Sequence, residues 1–188
     1  MTRIIGGAIG SRKLTSPAKS TRPTSDRIRE SIFSSLQSKE ALIGATVLDL
    51  YAGTGALALE ALSRGAKEAT LVESNKQAAA VCIKNARLVE DALAAEGMEV
   101  KVQVQIQPVA KFLEWASGKF DLVFIDSPYE IDNAEIEANL AGLRPMLKQE
   151  SLILVERSSR SAQIALEGFQ LIETKSFGDT NVYWLKIS

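Results

Sequence analysis

The strongest constraint on the fold is the alternation of short apolar runs with longer helix-like stretches. The runs at 47–50, 69–72 and 122–125 are dominated by Val, Leu, Ile, Phe and Ala, and helical spacing marks 56–64 and 76–95 between them. Nearly unbroken apolar strands that alternate with helices are typical of a parallel sheet covered on both faces. The sequence therefore predicts an α/β fold.

Further patterning extends this prediction to both ends of the chain. The predicted strands are 45–50, 68–73, 100–106, 120–126, 151–156, 169–175 and 182–187. The predicted helices are 24–36, 56–64, 76–95, 109–116 and 134–147. Only residues 176–181 separate the last two strands, which is too short for a helical crossover. We therefore expect a mostly parallel sheet whose last strand is antiparallel to its neighbour.

The first 40 residues do not follow this alternation. Glycines between short apolar stretches suggest a small hairpin near the start, and a helix should follow it. That helix would bury an apolar face and leave Arg27 and Arg29 off it. We predict two units, an N-terminal extension at 1–40 and a main domain at 41–188.

Charge is distributed unevenly along the chain. The first 30 residues carry seven basic and two acidic residues, whereas the net charge of all 188 residues is −1. A basic N-terminal stretch followed by an acidic remainder of the chain fits an arm that binds a polyanion such as RNA. A cluster of solvated surface charges would look the same by composition, so both interpretations stay open.

Composition excludes several kinds of chemistry. The chain has no histidine and one cysteine, Cys82. Imidazole-dependent mechanisms, intrachain disulfides and cysteine-rich zinc sites are therefore excluded, and no metal site is predicted. No run of 18 apolar residues and no secretory signal is visible, so we expect a cytoplasmic protein with no membrane partner.

A glycine-rich turn follows the first strand of the main domain. It reads Asp49-Leu-Tyr-Ala-Gly53-Thr-Gly55, without the third glycine of a dinucleotide fingerprint or the lysine of a phosphate loop. Glu73, after the next strand, is placed to accept hydrogen bonds from two ribose hydroxyls. Asp49 would repel a pyrophosphate but attract the amine and sulfonium of S-adenosylmethionine. The pattern favours that cofactor over NAD or ATP, although the glycines alone would fit an ordinary strand–helix turn.

A second candidate element, Asp126-Ser127-Pro128-Tyr129, directly follows another apolar strand. Because ligands bind at the carboxyl ends of parallel strands, Asp126 is expected at the same edge as the glycine turn. The Asp126 carboxylate and the Ser127 carbonyl are suited to accept N–H groups of an aromatic amine. Tyr129 is suited to stack on the base, and Pro128 fixes the backbone. A proline turn without function is the alternative.

These elements together resemble a known protein family. The matching runs lie at residues 3–7, 12–14, 21–33, 47–57, 60–65 and 120–129. They are similar to the bacterial 16S ribosomal RNA guanine-N2 methyltransferases of the RsmD type, over nearly the whole chain. The run at 21–33 is the most specific to this family, whereas the glycine turn and Asp-x-Pro-Tyr recur in many methyltransferases.

The resemblance implies a Rossmann-like class I methyltransferase with a seven-stranded sheet and S-adenosylmethionine as methyl donor. It implies methylation of a guanine 2-amino group in small-subunit rRNA or an assembling 30S particle, and we expect a monomer. The candidate catalytic residues are Asp126, Ser127, Pro128 and Tyr129. The candidate cofactor-binding residues are Asp49, Tyr51, Ala52, Gly53, Thr54, Gly55, Glu73, Ser74 and Gln107. The candidate RNA-binding residues are Arg3, Arg12, Lys13, Arg22, Arg27 and Arg29.

Two positions depart from the family pattern. Ser127 stands where the family usually has a proline, which keeps the carbonyl but reduces rigidity. Gln107 and Pro108 stand where Gly-Asp is typical, so the Gln107 amide or the main chain would have to meet the adenine amine. Two alternatives follow, an N6-adenine methyltransferase acting on nucleic acid and a non-catalytic RNA-binding protein.

Overall fold

One mixed sheet organises the computed structural model, which describes residues 2–16, 26–128 and 130–188. The strands are β1 (Thr46–Leu50), β2 (Glu68–Val72), β3 (Lys101–Gln105), β4 (Phe120–Asp126), β5 (Leu147–Ser158), β6 (Phe169–Phe177) and β7 (Thr180–Ile187). The helices are α1 (Asp26–Ser38), α2 (Ala56–Ser63), α3 (Lys76–Ala95), α4 (Val109–Trp115) and α5 (Asn133–Leu143), with a 3₁₀ turn at Arg144–Met146.

The strand order in the described part of the chain is β3-β2-β1-β4-β5-β7-β6. Strands β1 to β5 pair in parallel, and β7 lies antiparallel between β5 and β6. The predicted Rossmann-like α/β sheet with an antiparallel last strand is therefore confirmed. The chain changes direction across the sheet between β1 and β4, which is where open α/β sheets bind ligands.

Both faces of the central strands are buried. Val47 and Leu122 belong to an apolar cluster on the side of α1, α2 and α3, whereas Leu48 and Val123 belong to a second cluster with α4 and α5. Burial on both faces explains why these strands are nearly continuous apolar runs. None of the helices in the described ranges combines the length and the apolar character needed to cross a membrane.

The largest boundary differences from the sequence prediction lie between α5 and β5, whereas the other boundaries agree within two residues. The helix expected over 134–147 ends at Leu143, and β5 begins at Leu147 instead of 151. Pro145 explains the early end, because a proline has no N–H to continue the α-helical hydrogen bonds and a 3₁₀ turn at Arg144–Met146 follows instead. Residues 148–150, near the start of β5, are polar and exposed, so this part of the strand lacks the apolar pattern of a buried strand.

The N-terminal segment 2–16 folds back on itself as a hairpin-like turn. Ile4 N–H donates to the Arg12 carbonyl at 2.9 Å, and Leu14 N–H donates to the Thr2 carbonyl at 2.9 Å. The predicted hairpin is thus confirmed. Ile4 and Leu14 are buried in the same apolar cluster as α1 and α2. The division of the chain at residue 40 stays a prediction.

Candidate active site

The carboxyl ends of β1, β2 and β4 meet at one edge of the sheet. Leu50, the last residue of β1, pairs with Val72 of β2 and with Ile125 of β4. Glu73 and Asp126 immediately follow those two partners, so they lie at the same level as the glycine turn. The structure therefore brings together three segments that are far apart in the sequence.

The glycine turn adopts a backbone that favours glycine. Tyr51, Gly53 and Gly55 all have positive φ angles, of 63°, 55° and 80°. A side chain at Gly55 would also collide with the core, since an added Cβ would lie 2.8 Å from Leu71 Cδ2. Gly55 N–H donates to the Ala52 carbonyl at 2.7 Å, which closes the turn directly before α2. The main chain is therefore held in a compact turn against the sheet.

Glu73 connects the glycine turn to the start of α3. Its Oε2 accepts a hydrogen bond from Gly53 N–H at 2.9 Å, and its Oε1 accepts one from Asn75 N–H at 2.7 Å. The side chain is partly exposed, and each carboxylate oxygen can accept a further hydrogen bond. Glu73 is therefore positioned by the main chain and retains acceptor capacity toward a ligand. The neighbouring Ser74 is exposed.

Asp49 is buried beneath the turn, with 1% of its surface exposed. Its Oδ2 accepts a hydrogen bond from Ala58 N–H in α2 at 3.1 Å. Burial raises the pKa of Asp49 to about 8, and the charges of Asp126 and Glu73 add to this increase. The hydrogen bond from Ala58 N–H opposes the increase. A positively charged ligand group nearby would favour the ionised carboxylate.

Tyr51 contributes its main chain to the turn but directs its side chain toward α5. The Tyr51 hydroxyl donates to Glu135 Oε1 at 2.9 Å and accepts from Asn139 Nδ2 at 2.6 Å. Burial raises the pKa of Tyr51 above its ordinary value, and the hydrogen bond to Glu135 adds to this shift. The phenol therefore stays protonated and anchors the turn to the helix that follows the Asp126 segment.

Asp126 lines a small pocket between the sheet edge and two helices. Its walls include Ile32 of α1, Leu57 of α2 and Phe124 of β4. Glu156, which pairs with Asp126 in the β4–β5 register, lines the same pocket. The volume of the pocket is about 10 Å³, room for about one water molecule, so the pocket marks the apolar surroundings of Asp126 and is not large enough to enclose a base. The next predicted site residues are a buried Ser127 and an exposed Pro128, whereas Tyr129 lies outside the described residues.

Gln107 lies two residues beyond β3, at the end of the sheet next to β2. Glu73 N–H donates to the Gln105 carbonyl at 3.0 Å, so the loop after β3 starts beside Glu73. Pro108 then precedes the first residue of α4. The position agrees with a role for Gln107 beside a ligand held by Glu73, and that role stays a prediction.

Most of the predicted RNA-binding residues are exposed. Arg3, Arg12, Lys13 and Arg27 all lie at the surface, and Arg3 Nε also donates to Asp26 Oδ2 at 3.1 Å. Arg22 lies outside the described residues. Exposure alone fits both a polyanion-binding arm and solvated surface charge, so the RNA-binding role of these four residues stays a prediction.

Arg29 requires a correction. Only 2% of its surface is exposed, because the N-terminal segment covers this side of α1. Its Nη1 donates to the Arg3 carbonyl at 2.9 Å, and its Nη2 donates to Asp26 Oδ1 at 2.7 Å. The sequence prediction places Arg29 off the apolar face of α1. It precedes the buried Ile32, Phe33 and Leu36 by three, four and seven residues, so it shares their face, and its side chain holds the segment to α1. We therefore remove Arg29 from the RNA-binding set.

Comparison with known proteins decides the family. A family model described as "Conserved hypothetical protein 95" matches residues 2–186. Ribosomal RNA small subunit methyltransferase D of Escherichia coli (strain K12) is 37% identical over 155 residues, which cover 82% of this chain and 73% of that protein. The protein of the same name from Haemophilus influenzae is 34% identical over 179 residues, covering 94% of this chain and 89% of that protein. This chain belongs to the RsmD-type methyltransferase family.

A solved structure agrees with this assignment. A putative methyltransferase, yhhF, from Escherichia coli has a TM-score of 0.80 and 30% identity, covering 100% of this chain and 98% of that one. The family resemblance inferred from the motifs is confirmed. In this RsmD-type methyltransferase the predicted fold and family are therefore confirmed, whereas the roles of the individual site residues stay predictions.

The structure also adds two polar residues that the motifs did not identify. Asn85 of α3 is fully buried, and its Nδ2 donates to the Thr54 carbonyl of the glycine turn at 2.9 Å and to the Thr15 carbonyl at 3.0 Å. Arg157 is buried at the end of β5. A sequence signal existed for Arg157, because a charged residue directly after an apolar strand is the same pattern that identified Asp126.

Proposed function

We propose that this RsmD-type methyltransferase transfers a methyl group from S-adenosylmethionine to the exocyclic N2 amine of a guanine in small-subunit rRNA. One observation carries the proposal. The glycine turn, Glu73 and Asp126 meet at one edge of the sheet, where β1 pairs with both β2 and β4. A donor held by the first two would therefore lie beside a base held by the third.

The residues around the glycine turn suit the proposed donor. The Glu73 carboxylate retains acceptor capacity for the ribose hydroxyls, and the open side of Gly53 leaves room for a ligand, since the nearest atom to an added Cβ is 4.0 Å away. Burial raises the pKa of Asp49 to about 8, and a positively charged group of the donor beside it would favour the ionised carboxylate, which in turn would stabilise that group. When bound, S-adenosylmethionine supplies an electrophilic methyl carbon on a sulfonium and leaves as S-adenosylhomocysteine.

The residues at the end of β4 suit the proposed acceptor. The guanine amine is a poor nucleophile because its lone pair is delocalised into the ring. If Asp126 and the Ser127 carbonyl each accept one N–H, the lone pair points out of the ring plane toward the methyl carbon. The Asp126 carboxylate also stabilises the positive charge that develops on nitrogen as the new bond forms. The proton is then lost to solvent or transiently to Asp126.

The N-terminal extension at 1–40 is proposed to guide RNA to this edge. Arg12, Lys13 and Arg27 are exposed, and the extension packs against α2, which begins at the glycine turn. A base must leave its stack to bring its amine to Asp126. We infer a monomer that acts on rRNA or an assembling small subunit in the cytoplasm, and light scattering of the purified protein tests the oligomeric state.

Methyl transfer to separated substrates tests the function. The purified protein and labelled S-adenosylmethionine are incubated with small-subunit rRNA, unmodified 30S particles, large-subunit rRNA and DNA. We expect label in the small-subunit samples, recovered after digestion as N2-methylguanosine. Recovery as N6-methyladenine would instead support the adenine alternative. If calorimetry detected no binding of S-adenosylmethionine at all, the non-catalytic RNA-binding alternative would replace the proposal.

Glu73→Ala should weaken donor binding. Loss of hydrogen bonds from a charged acceptor to the ribose costs about 2 kcal/mol, which raises the Kd for S-adenosylmethionine roughly 30-fold. Isothermal titration calorimetry measures this change. Glu68→Ala is the matched control, because Glu68 lies at the opposite end of β2 and pairs with Lys101 at 2.7 Å. An unchanged Kd in Glu73→Ala would remove Glu73 from the donor site.

RNA binding should weaken steeply with salt. Each basic side chain that contacts a phosphate releases counterions, so log Kd rises linearly with log salt concentration. Arg12→Ala with Lys13→Ala should lower that slope by roughly two. Lys148→Ala is the control, since Lys148 pairs with Asp121 at the start of β4, far from the proposed site. If the slope of log Kd against log salt concentration were the same in the double variant as in the wild type, these two residues would be excluded from RNA binding.

A further inference from the structure

A buried arginine stands behind the segment that carries Asp126. Arg157, near the end of β5, is 7% exposed. Its Nη1 donates to the Ile131 carbonyl at 2.9 Å, and its Nη2 donates to Asn133 Oδ1 at 2.9 Å. Its Nη1 also lies 3.4 Å from Ser127 Oγ. A guanidinium is costly to bury, so its partners are the groups that keep it in this position.

The three partners of Arg157 span the connection from β4 to α5. Ser127 directly follows Asp126, and Asn133 is the first residue of α5. Asn133 is itself held, because its Nδ2 donates to the Ala162 carbonyl at 2.9 Å and to the Gln163 carbonyl at 3.1 Å. Arg157 therefore links the beginning and the end of this connection to a neighbouring strand of the sheet.

Arg157 and Asp126 lie on opposite faces of the sheet. The partner of Asp126 in the β4–β5 register is Glu156, and Arg157 is the next residue along β5. Successive strand residues point to opposite faces, so Arg157 approaches the connection from the side of α5. The pocket that Asp126 lines lies on the side of α1 and α2. Arg157 thus supports the connection from behind, without reaching the pocket side itself.

We infer that Arg157 is a positioning residue for the Asp126 segment, an inference that rests on the reaction proposed above. By holding Ser127, Ile131 and Asn133, Arg157 positions the Asp126 carboxylate and the Ser127 carbonyl relative to the substrate amine. Methyl transfer depends on alignment of nitrogen, carbon and sulfur, and a displacement of about 1 Å can cost on the order of 100-fold in rate.

Kinetics of five variants test this inference. Arg157→Ala should lower kcat about tenfold or more, while the Kd for S-adenosylmethionine and the KM for rRNA stay within about twofold. Arg157→Lys should give an intermediate kcat, because lysine keeps the charge but cannot bridge two acceptors. Asn133→Ala should also lower kcat, and the double variant should be no slower than the slower single variant. Arg160→Ala, an exposed neighbour that pairs with Asp179, should match the wild type.

A second measurement does not require turnover. Hydrogen exchange at the amides of residues 130–133 should be faster in Arg157→Ala and Asn133→Ala than in the wild type, with exchange in β1 and β2 unchanged. If the wild type transfers no methyl group, the proposed function fails, but this measurement still tests the link. Full kcat with unchanged exchange in folded Arg157→Ala would overturn the inference. A loss of kcat in the double variant equal to the product of the two single-variant losses would also overturn it.

Discussion

Replacing Asp126 by alanine should lower kcat for methyl transfer about 10²–10³-fold. The carboxylate is proposed to accept an amine N–H and to stabilise positive charge in the transition state. It lies at the end of β4, at the level of Glu73 and the glycine turn, and it lines the pocket between sheet and helices. Single-turnover transfer of labelled methyl to small-subunit rRNA measures the effect. Because Asp126 is not assigned to the donor, calorimetry should give an unchanged Kd for S-adenosylmethionine.

Asp121→Ala is the matched control for this prediction. Asp121 lies one residue after the start of the same strand, where it accepts from Thr46 N–H at 2.9 Å and pairs with Lys148. It is therefore distant from the proposed site, and its removal should leave kcat near the wild-type value. Turnover in Asp126→Ala equal to that of Asp121→Ala would mean that Asp126 does not take part in the reaction.

Glu60→Ala should destabilise the fold by about 3–5 kcal/mol, because it removes the buried carboxylate that pairs most closely with the buried Arg64 guanidinium. Glu60 is fully buried in α2, and its Oε1 accepts from Arg64 Nε at 2.7 Å. The same carboxylate accepts Ile5 N–H at 2.6 Å and Gly6 N–H at 2.9 Å. Without it, the N–H groups of Ile5 and Gly6 lose their hydrogen-bond acceptor. Urea unfolding followed by circular dichroism measures the loss.

Glu30→Ala provides the comparison for Glu60. Glu30 Oε2 lies 3.9 Å from Arg64 Nη2, but its side chain is 52% exposed, so the pair contributes at most about 1 kcal/mol. We expect Glu30→Ala to change the free energy of unfolding by less than that amount. Equal losses in the two variants would show that burial of Glu60 does not determine its contribution.

Several parts of the site could be predicted because they depend on local backbone geometry. Gly53 and Gly55 signalled a turn in which side chains are strained, and their φ angles of 55° and 80° agree. Asp126 could be placed at the same edge as the turn because parallel strands align their carboxyl ends. In each case the residue follows an apolar run, and such a run can be recognised as a buried strand from the sequence.

Other parts could not be predicted because burial of polar residues leaves no mark in composition. Arg29, Glu60 and Asn85 each lie three or four residues from buried apolar residues of the same helix, but their polar side chains are of types that usually face solvent. Each is buried, because the N-terminal segment covers it and supplies main-chain hydrogen-bond partners. The segment itself is short and rich in glycine, so its place over α1 and α2 could not be inferred from its own residues.

The sequence by itself determined the strands, the turn chemistry and the family, because strand burial and glycine geometry depend on neighbours along the chain. Tertiary structure alone decided which charged residues face solvent and which hold the molecule together. It turned Arg29 from a candidate RNA contact into a buried anchor, and it placed Arg157 behind the Asp126 segment. The physical reason is that desolvation of a charge depends on what covers it, and the covering segments are distant in sequence.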